Sequence, residues 1–291
     1  MKRVLVIGAG IGGLSAAIRL QNVGYQVEIY EKNTVPGGKM HRLEFEGHSF
    51  DVGPTLVMMP SIYREIFEIA GRNPDDYIPM SKLNPMYHVY FNSSPLRFYS
   101  LSNDLEELHN IFENKGFVNS RGFYDYLSSI YRRYQIALEY FITRPFRHRR
   151  DFYNPKVLWN ALKLKTFDSA DQMMSKFIPN KDLQQMLSFQ TLYIGVSPKK
   201  GPSLYNIIPM IELLYGVWFI KGGMFTMATQ MAKLFEELGG VIHYGMPVEE
   251  IITKDKKLVA GGVTTGAASD LREYNPNATS YYGQDYESVT Q

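Results

Sequence analysis

Residues 4–7, Val-Leu-Val-Ile, form a continuous apolar run rich in β-branched side chains, the pattern of a strand buried on both faces. The period then changes. Leu14, Ala17, Ile18 and Leu20 recur at helical spacing, Gly24 ends that stretch, and Val27-Glu28-Ile29-Tyr30 reads as a second strand. Ile62, Ile66 and Ile69 predict a helix over 61–70 that stops at Gly71. Residues 86–91 and 96–99 are strand-like and are joined by Asn92-Ser93-Ser94-Pro95, which is turn chemistry. Asn103, three before Glu106, opens a short helix ending near Gly116. Phe123, Leu127, Ile130, Tyr134, Leu138 and Phe141 make one stripe of a long helix over 122–144.

Further on, Ser169 and Gln172 have capping-box spacing for a helix to about Phe177. Another helix is predicted over 182–194, and one over 203–215 kinked by Pro209. A short strand is predicted over 217–220. Residues 223–238 form an amphipathic helix whose Met224, Met227, Met231, Leu234 and Leu238 read as core. Residues 241–244 and 248–253 are strands. From about Gly261 the hydrophobic period fades into a tail rich in Asn, Ser, Tyr and Gln, where no element is predicted. Strands alternating with helices place the chain in the α/β class.

With 291 residues, 45% apolar and 14% aromatic, the chain can bury a large core in one or two domains. It has no cysteine, which removes disulfides and thiolate metal sites and fits a reducing cytoplasm. Six scattered His without an H-x-x-x-H pair predict no metal site. A net charge of +2 gives no reason to expect nucleic acid. The longest apolar run, 207–220, contains Pro209 and Glu212 and is too short to span a bilayer. Charge is uneven, however. Residues 144–165 carry seven basic side chains (Arg144, Arg147, Arg149, Arg150, Lys156, Lys163, Lys165) against Asp151 alone. Phe146, Phe152, Tyr153, Leu158, Trp159 and Leu162 are interleaved among them. Two readings stand, a segment lying on an anionic membrane surface or a solvated basic face over packed aromatics; a third, nucleic acid, is set aside because no recognition motif accompanies the charge.

The most informative chemistry lies between the first two strands. Gly8, Gly10 and Gly13 fit G-x-G-x-x-G, and Glu31 ends the second strand 23 positions after Gly8. Gly8 permits a tight turn, Gly10 lets backbone approach a pyrophosphate, and Gly13 lets helix and strand pack closely. The helix N-terminus offers free N–H groups to phosphate. The Glu31 carboxylate suits ribose hydroxyls. A purely structural glycine turn and a secretory leader are the competing readings. The first lacks a reason for the terminal acid, and the second fails because glycines interrupt the apolar core.

The residues after Glu31 narrow the nucleotide. Lys32-Asn33-Thr34-Val35-Pro36-Gly37-Gly38-Lys39 is succeeded by Phe50-Asp51-Val52-Gly53-Pro54-Thr55. A strand-end Glu, a Gly-Gly-basic turn and an F-D-x-G-P-T segment together resemble the flavin amine oxidase superfamily. Within it the chain looks most like the bacterial carotenoid desaturases, the phytoene and diapophytoene desaturases. The resemblance runs over about residues 1–260. It includes Tyr193-Ile194-Gly195-Val196-Ser197-Pro198, Pro202-Ser203-Leu204-Tyr205, Gly216-Val217-Trp218-Phe219, Gly222-Gly223-Met224, Leu238-Gly239-Gly240 and Val248-Glu249-Glu250-Ile251. The tyrosine-rich stretches and Lys199-Lys200-Gly201-Pro202-Ser203-Leu204-Tyr205 resemble the diapophytoene branch.

The resemblance implies FAD, held by Gly8, Gly10, Ile11, Gly12, Gly13, Glu31, Lys32, Gly38, Lys39, Gly53, Pro54, Thr55 and the backbone of Val248, which would meet the adenine. Lys39 stands where such families usually carry Arg; it meets phosphate as a point charge, without the bidentate fork. Asp51 is a catalytic candidate by motif position alone. The implied fold is a Rossmann-like FAD-binding βαβ domain with an inserted substrate domain of mixed sheet and helices. Its parts would be 1–85 and 221–260 for FAD, 86–220 for substrate and membrane, and 261–291 as an atypical tail. The family's closing flavin segment has no match here, so the implied fold is incomplete at its C-terminus and weak flavin retention is expected. The implied activity is dehydrogenation of a long apolar polyisoprenoid by hydride transfer to flavin, in a cytoplasmic protein peripheral to the membrane. Rab GDP-dissociation inhibitors share this architecture yet bind prenyl chains without redox work, which is one alternative; an amine or protoporphyrinogen oxidase is another.

Overall fold

The computed structural model describes residues 3–92, 96–142, 153, 155–163, 168–254, 258–264 and 286–289. In chain order the elements are β1 (Arg3–Ile7), α1 (Ile11–Asn22), β2 (Gln26–Glu31), β3 (His41–Phe45), β4 (His48–Val52), α2 (Pro60–Glu68), β5 (Met80–Lys82), β6 (Tyr87–Phe91), β7 (Arg97–Leu101), α3 (Leu105–Glu113) and α4 (Phe117–Ala137). Next come α5 (Pro155–Lys163), α6 (Ala170–Ser175), α7 (Lys181–Met186), α8 (Ile207–Tyr215), β8 (Trp218–Ile220), α9 (Phe225–Glu237), β9 (Val241–Tyr244), β10 (Val248–Lys254), β11 (Leu258–Thr264) and β12 (Tyr286–Val289). The chain divides into two compact units, Met1–Ser81 with Trp218–Gln291, and Lys82–Val217.

The first unit is built on a parallel sheet in the order β12-β1-β2-β9. Val4, Val6, Val27 and Ile29 are buried in it, while Leu5 is half-buried and Ile7 exposed, so β1 is fully buried on one face only and not on both as its apolar run predicted. Helix α1 seals one face through Leu14, Ala17 and Ile18 and packs against α9. The methionine stripe of α9 is core: Met224, Met227 and Met231 are buried among these residues. The β3–β4 hairpin is antiparallel, pairing His41 with Val52 and Arg42 with Asp51.

The second unit has its own core. The β6–β7 hairpin, α3, α4, α6, α7 and α8 bury Phe112, Phe123, Tyr126, Ile130, Met173, Leu183 and Met186. Phe112 stacks on Phe123 with ring centroids 4.2 Å apart.

Several boundaries differ from the sequence expectation, each for a local reason. The cap of α3 is Asp104, not Asn103: its carboxylate accepts the Glu106 and Glu107 N–H groups at 2.8 and 3.2 Å. Helix α4 begins at Phe117, so Gly122 lies inside it. A Cβ there would sit 1.9 Å from the Phe177 carbonyl oxygen, and the glycine marks a close crossing rather than a helix start. The predicted 182–194 helix is two pieces, α7 and a 3₁₀ turn over Phe189–Ile194 that turns Gln190 and Thr191 into the interior. The predicted 203–215 helix is a 3₁₀ turn over Ser203–Asn206 followed by α8 from Ile207, so Pro209 falls in the first turn of α8, where its missing N–H has no intrahelical partner to lose. The chain after Leu258 forms β11 on β10 and β12 on β1, where no strand was expected. Backbone ladders need no apolar alternation, which is why sequence period did not reveal them. Residues 93–95 of the predicted turn and most of the basic 144–165 segment lie outside the described residues.

Candidate functional site

The site is assembled around the turn from β1 into α1. Gly8 has φ +95° and donates its N–H to the Tyr30 carbonyl at 2.8 Å, which docks the turn onto β2. A Cβ on Gly13 would lie 2.1 Å from the Gly8 carbonyl oxygen, so the helix runs this close to the strand only with glycine there. Nothing lies within 4 Å of where a Cβ on Gly10 would stand. That open face borders the first turn of α1, which has no side-chain cap and no acidic residue. Its Ile11, Gly12 and Gly13 backbone therefore offers uncapped N–H groups and the positive end of the helix dipole. Ile11 is half-buried and Gly12 exposed.

A second loop closes beside this turn. Gly37 donates its N–H to the Ala9 carbonyl at 2.8 Å, and a Cβ on Gly38 would stand 3.4 Å from the Gly10 Cα. Lys32 and Lys39 are exposed on the same loop. Sequence reading singled out Gly38 and missed Gly37, which is the buried, turn-contacting member of the pair. Only the doubled glycine hinted at it.

Glu31 is 4% exposed. Its Oε2 accepts the Ala9 N–H at 2.7 Å, and its Oε1 accepts the Asn33 backbone and side-chain N–H groups at 2.9 and 2.7 Å. A carboxylate has about four lone-pair sites, so three donors leave room for one more. The carbonyls of Glu31 and Asn33 accept the N–H groups of Met246 and Gly245 at 2.9 and 3.0 Å. These bonds bring the strand that opens with Val248 alongside Glu31. Burial pushes the nearby Tyr244 phenol up to about 12, with Glu236 and Glu31 adding to the shift. Ala9, Asn33 and Met246 carried no recognisable sequence signal, because two of them act through backbone.

The β3–β4 hairpin treats Asp51 differently from the catalytic expectation. Its Oδ2 accepts the Met224 N–H at 2.6 Å and its Oδ1 the Phe225 N–H at 3.4 Å. Arg42 Nε stands 3.9 Å away, and Arg42 also donates to the Gly222 carbonyl. Asp51 thus caps the N-terminus of α9 from across the unit, with Gly223 allowing the approach: a Cβ there would be 2.0 Å from Oδ2. A Cβ on Gly53 would lie 2.5 Å from the Lys39 carbonyl oxygen, which ties the Gly53-Pro54-Thr55 segment to the Gly-Gly loop; Pro54 and Thr55 are exposed. Among the described residues no cluster of His, Asp and Glu could hold a metal ion.

The chain is similar to known proteins in sequence and in fold. The pattern of the family described as flavin containing amine oxidoreductase matches residues 11–272. A 4,4'-diapophytoene desaturase (4,4'-diaponeurosporene-forming) of Staphylococcus aureus strain bovine RF122 is 43% identical over 273 residues, covering 94% of this chain and 54% of that protein. The chain therefore spans about half the length of the curated relatives it matches. Among solved structures, an oxidoreductase from Methanosarcina mazei superposes with a TM-score of 0.60 at 16% identity, covering 91% of this chain and 56% of its own. A Rab GDI from Plasmodium falciparum superposes with a TM-score of 0.54 at 12% identity, covering 91% and 62%. These two show a shared fold.

Proposed function

The chain belongs to the flavin containing amine oxidoreductase family, and on that premise we propose that it serves the FAD-dependent dehydrogenation of diapophytoene. The observation that carries the substrate class is the 43% identity over 94% of the chain to a diapophytoene desaturase. The observation that supports the cofactor is local: an open glycine face against an uncapped helix end, with a buried acid at the tip of β2. A dinucleotide brings a pyrophosphate and a ribose, and these are the groups such a cradle fits.

When bound, the flavin supplies the hydride acceptor that an unactivated hydrocarbon requires. The protein's own residues do the holding. Ile11, Gly12 and Gly13 present N–H groups to phosphate, Lys39 adds a mobile positive charge, and the spare acceptor capacity of Glu31 receives a ribose hydroxyl. Lys32, Gly38, Gly53, Pro54, Thr55 and Val248 complete the proposed contact set. Asp51 acts by fixing α9 rather than by taking a proton. In this reading residues 82–217 form the substrate-side unit for a long apolar polyisoprenoid.

Such a substrate does not travel through water, which argues for a peripheral position at an anionic membrane on the cytoplasmic side. Among the described residues no helix is long and apolar enough to cross a membrane. On α5, Leu158 and Trp159 are 55% and 62% exposed beside Lys156, an arrangement suited to an interface.

The test is to dialyse the purified chain against FAD and then present diapophytoene in liposomes. Weak but measurable flavin uptake is expected, with growth of conjugated-polyene absorbance in proportion to the flavin bound. Failure to take up FAD overturns the cofactor reading. Flavin uptake without any product overturns the reaction, and diapophytoene retention without flavin favours a GDI-like binding role.

A further inference from the structure

The second unit hides a carboxyl that nothing in the flavin reading uses. Glu212, on α8, is 1% exposed, and Gln190, on the 3₁₀ turn, is 0% exposed. Gln190 Nε2 donates to Glu212 Oε2 at 3.0 Å and to the Tyr87 hydroxyl at 2.7 Å. The Tyr87 hydroxyl in turn donates to Glu212 Oε2 at 3.2 Å. The Tyr193 phenol faces the same carboxyl, and Phe189 packs edge-on against both tyrosine rings at 5.1 and 5.9 Å. The groups facing Glu212 are thus Tyr87 from β6 and Gln190 and Tyr193 from the turn, none of them a cation.

This arrangement leaves two buried oxygens without a donor, Glu212 Oε1 and Gln190 Oε1. An unsatisfied buried acceptor is costly, and two together more so. The 3.0 Å bond from Gln190 Nε2 to Glu212 Oε2 sets amide and carboxyl side by side, so a proton on Glu212 Oε1 would make that atom a donor toward the Gln190 oxygen and satisfy both. The result is a closed acid–amide pair, with N–H···O on one side and O–H···O on the other. We infer that Glu212 is an uncharged carboxylic acid in the folded protein, paired through its proton with Gln190, and that the pair is a proton-exchange site opening to solvent through Tyr193.

Tyr193 is 48% exposed, so the residue whose phenol faces the buried pair also borders water. A proton leaving Glu212 passes to the Tyr193 oxygen as the phenol's own proton goes to water, and the phenol ends as it began. Burial, the largest influence, raises the Glu212 carboxyl above its ordinary 4.5 against hydrogen bonds from Gln190, Tyr193 and Tyr87 that lower it. The folded state therefore keeps a proton that the unfolded chain releases. Stability contributed by this group is greatest below the ordinary carboxylate range and falls as pH rises, until the folded carboxyl itself ionises.

Infrared spectroscopy of the full chain at neutral pH in H₂O and D₂O tests this. A deuterium-sensitive carboxylic-acid carbonyl band is expected in wild type, is lost on raising the pH, and is missing in Glu212→Gln. Tyr193→Phe should keep the band and slow its deuterium shift several-fold. Glu212→Gln should fold as well as wild type at neutral pH and lose less stability on the alkaline side. A wild type without the band at neutral pH overturns the inference whether or not the variants fold. So does a Glu212→Gln chain that keeps the band. A Tyr193→Phe chain that exchanges as fast as wild type overturns the exit path.

Discussion

The carboxylate of Glu31 and the backbone N–H of Ala9 are joined at 2.7 Å, 22 residues apart in sequence. The bond ties the tip of β2 to the glycine turn after β1, so the residue proposed to meet the ribose also shapes the turn proposed to meet the phosphates.

Replacing Glu31 should therefore affect the nucleotide twice. Glu31→Ala removes a charged acceptor from three N–H donors and should weaken FAD by about 1–3 kcal/mol, the scale of losing a charged hydrogen-bond partner. Glu31→Gln should fall between the two, since one amide oxygen still accepts. Fluorescence titration of flavin measures both; an unchanged affinity in Glu31→Ala would remove the ribose assignment.

Asp51 should behave as a cap and not as a base. Asp51→Ala leaves the Met224 and Phe225 N–H groups without their acceptor and should cost about 0.5–2 kcal/mol of stability. Asp51→Asn, which keeps an acceptor oxygen, should recover most of it. Urea denaturation gives the comparison, and a stability unchanged by Asp51→Ala would contradict the role.

Acid should act on the first unit through Glu28. Burial pushes this carboxyl up, but hydrogen bonds from Arg3 at 2.9 Å and His243 at 3.0 Å outweigh it and hold the carboxyl below 4.5. A depressed folded value means the unfolded chain takes the proton first. The stabilisation is thus present above 4.5 and is lost as pH falls through the folded value. Glu28→Gln should be less stable than wild type at neutral pH and should show a shallower acid-side loss. Denaturation midpoints measured against pH check this, and parallel curves would refute it.

Membrane binding should depend on charge. Each basic residue near an anionic surface adds about 1 kcal/mol. Replacing Arg147, Arg149 and Arg150 with Gln should release the protein from anionic vesicles in a sedimentation assay. Equal sedimentation of wild type with neutral lipid would show that charge is not the cause.

The βαβ unit, its glycines and its terminal acid were legible along the chain, because each depends on short-range requirements. A buried strand needs an apolar run, a sharp turn needs residues without a Cβ, and a helix needs its period. The same locality made the capping box at Ser169 and Gln172 legible; both of its hydrogen bonds are formed. What those residues meet was settled by folding. Nothing in the chain around Asp51 announces that its carboxylate closes on Met224, 173 positions away. Nor does anything around Gly122 announce the Phe177 carbonyl pressed against it. Gly37, Ala9 and Met246 act through backbone atoms that every residue has, so their identities carry no trace of the job. The Glu212 and Gln190 pair could not be read at all. A lone acid in an apolar helix is ordinary until folding removes its water and leaves one amide and two phenols around it.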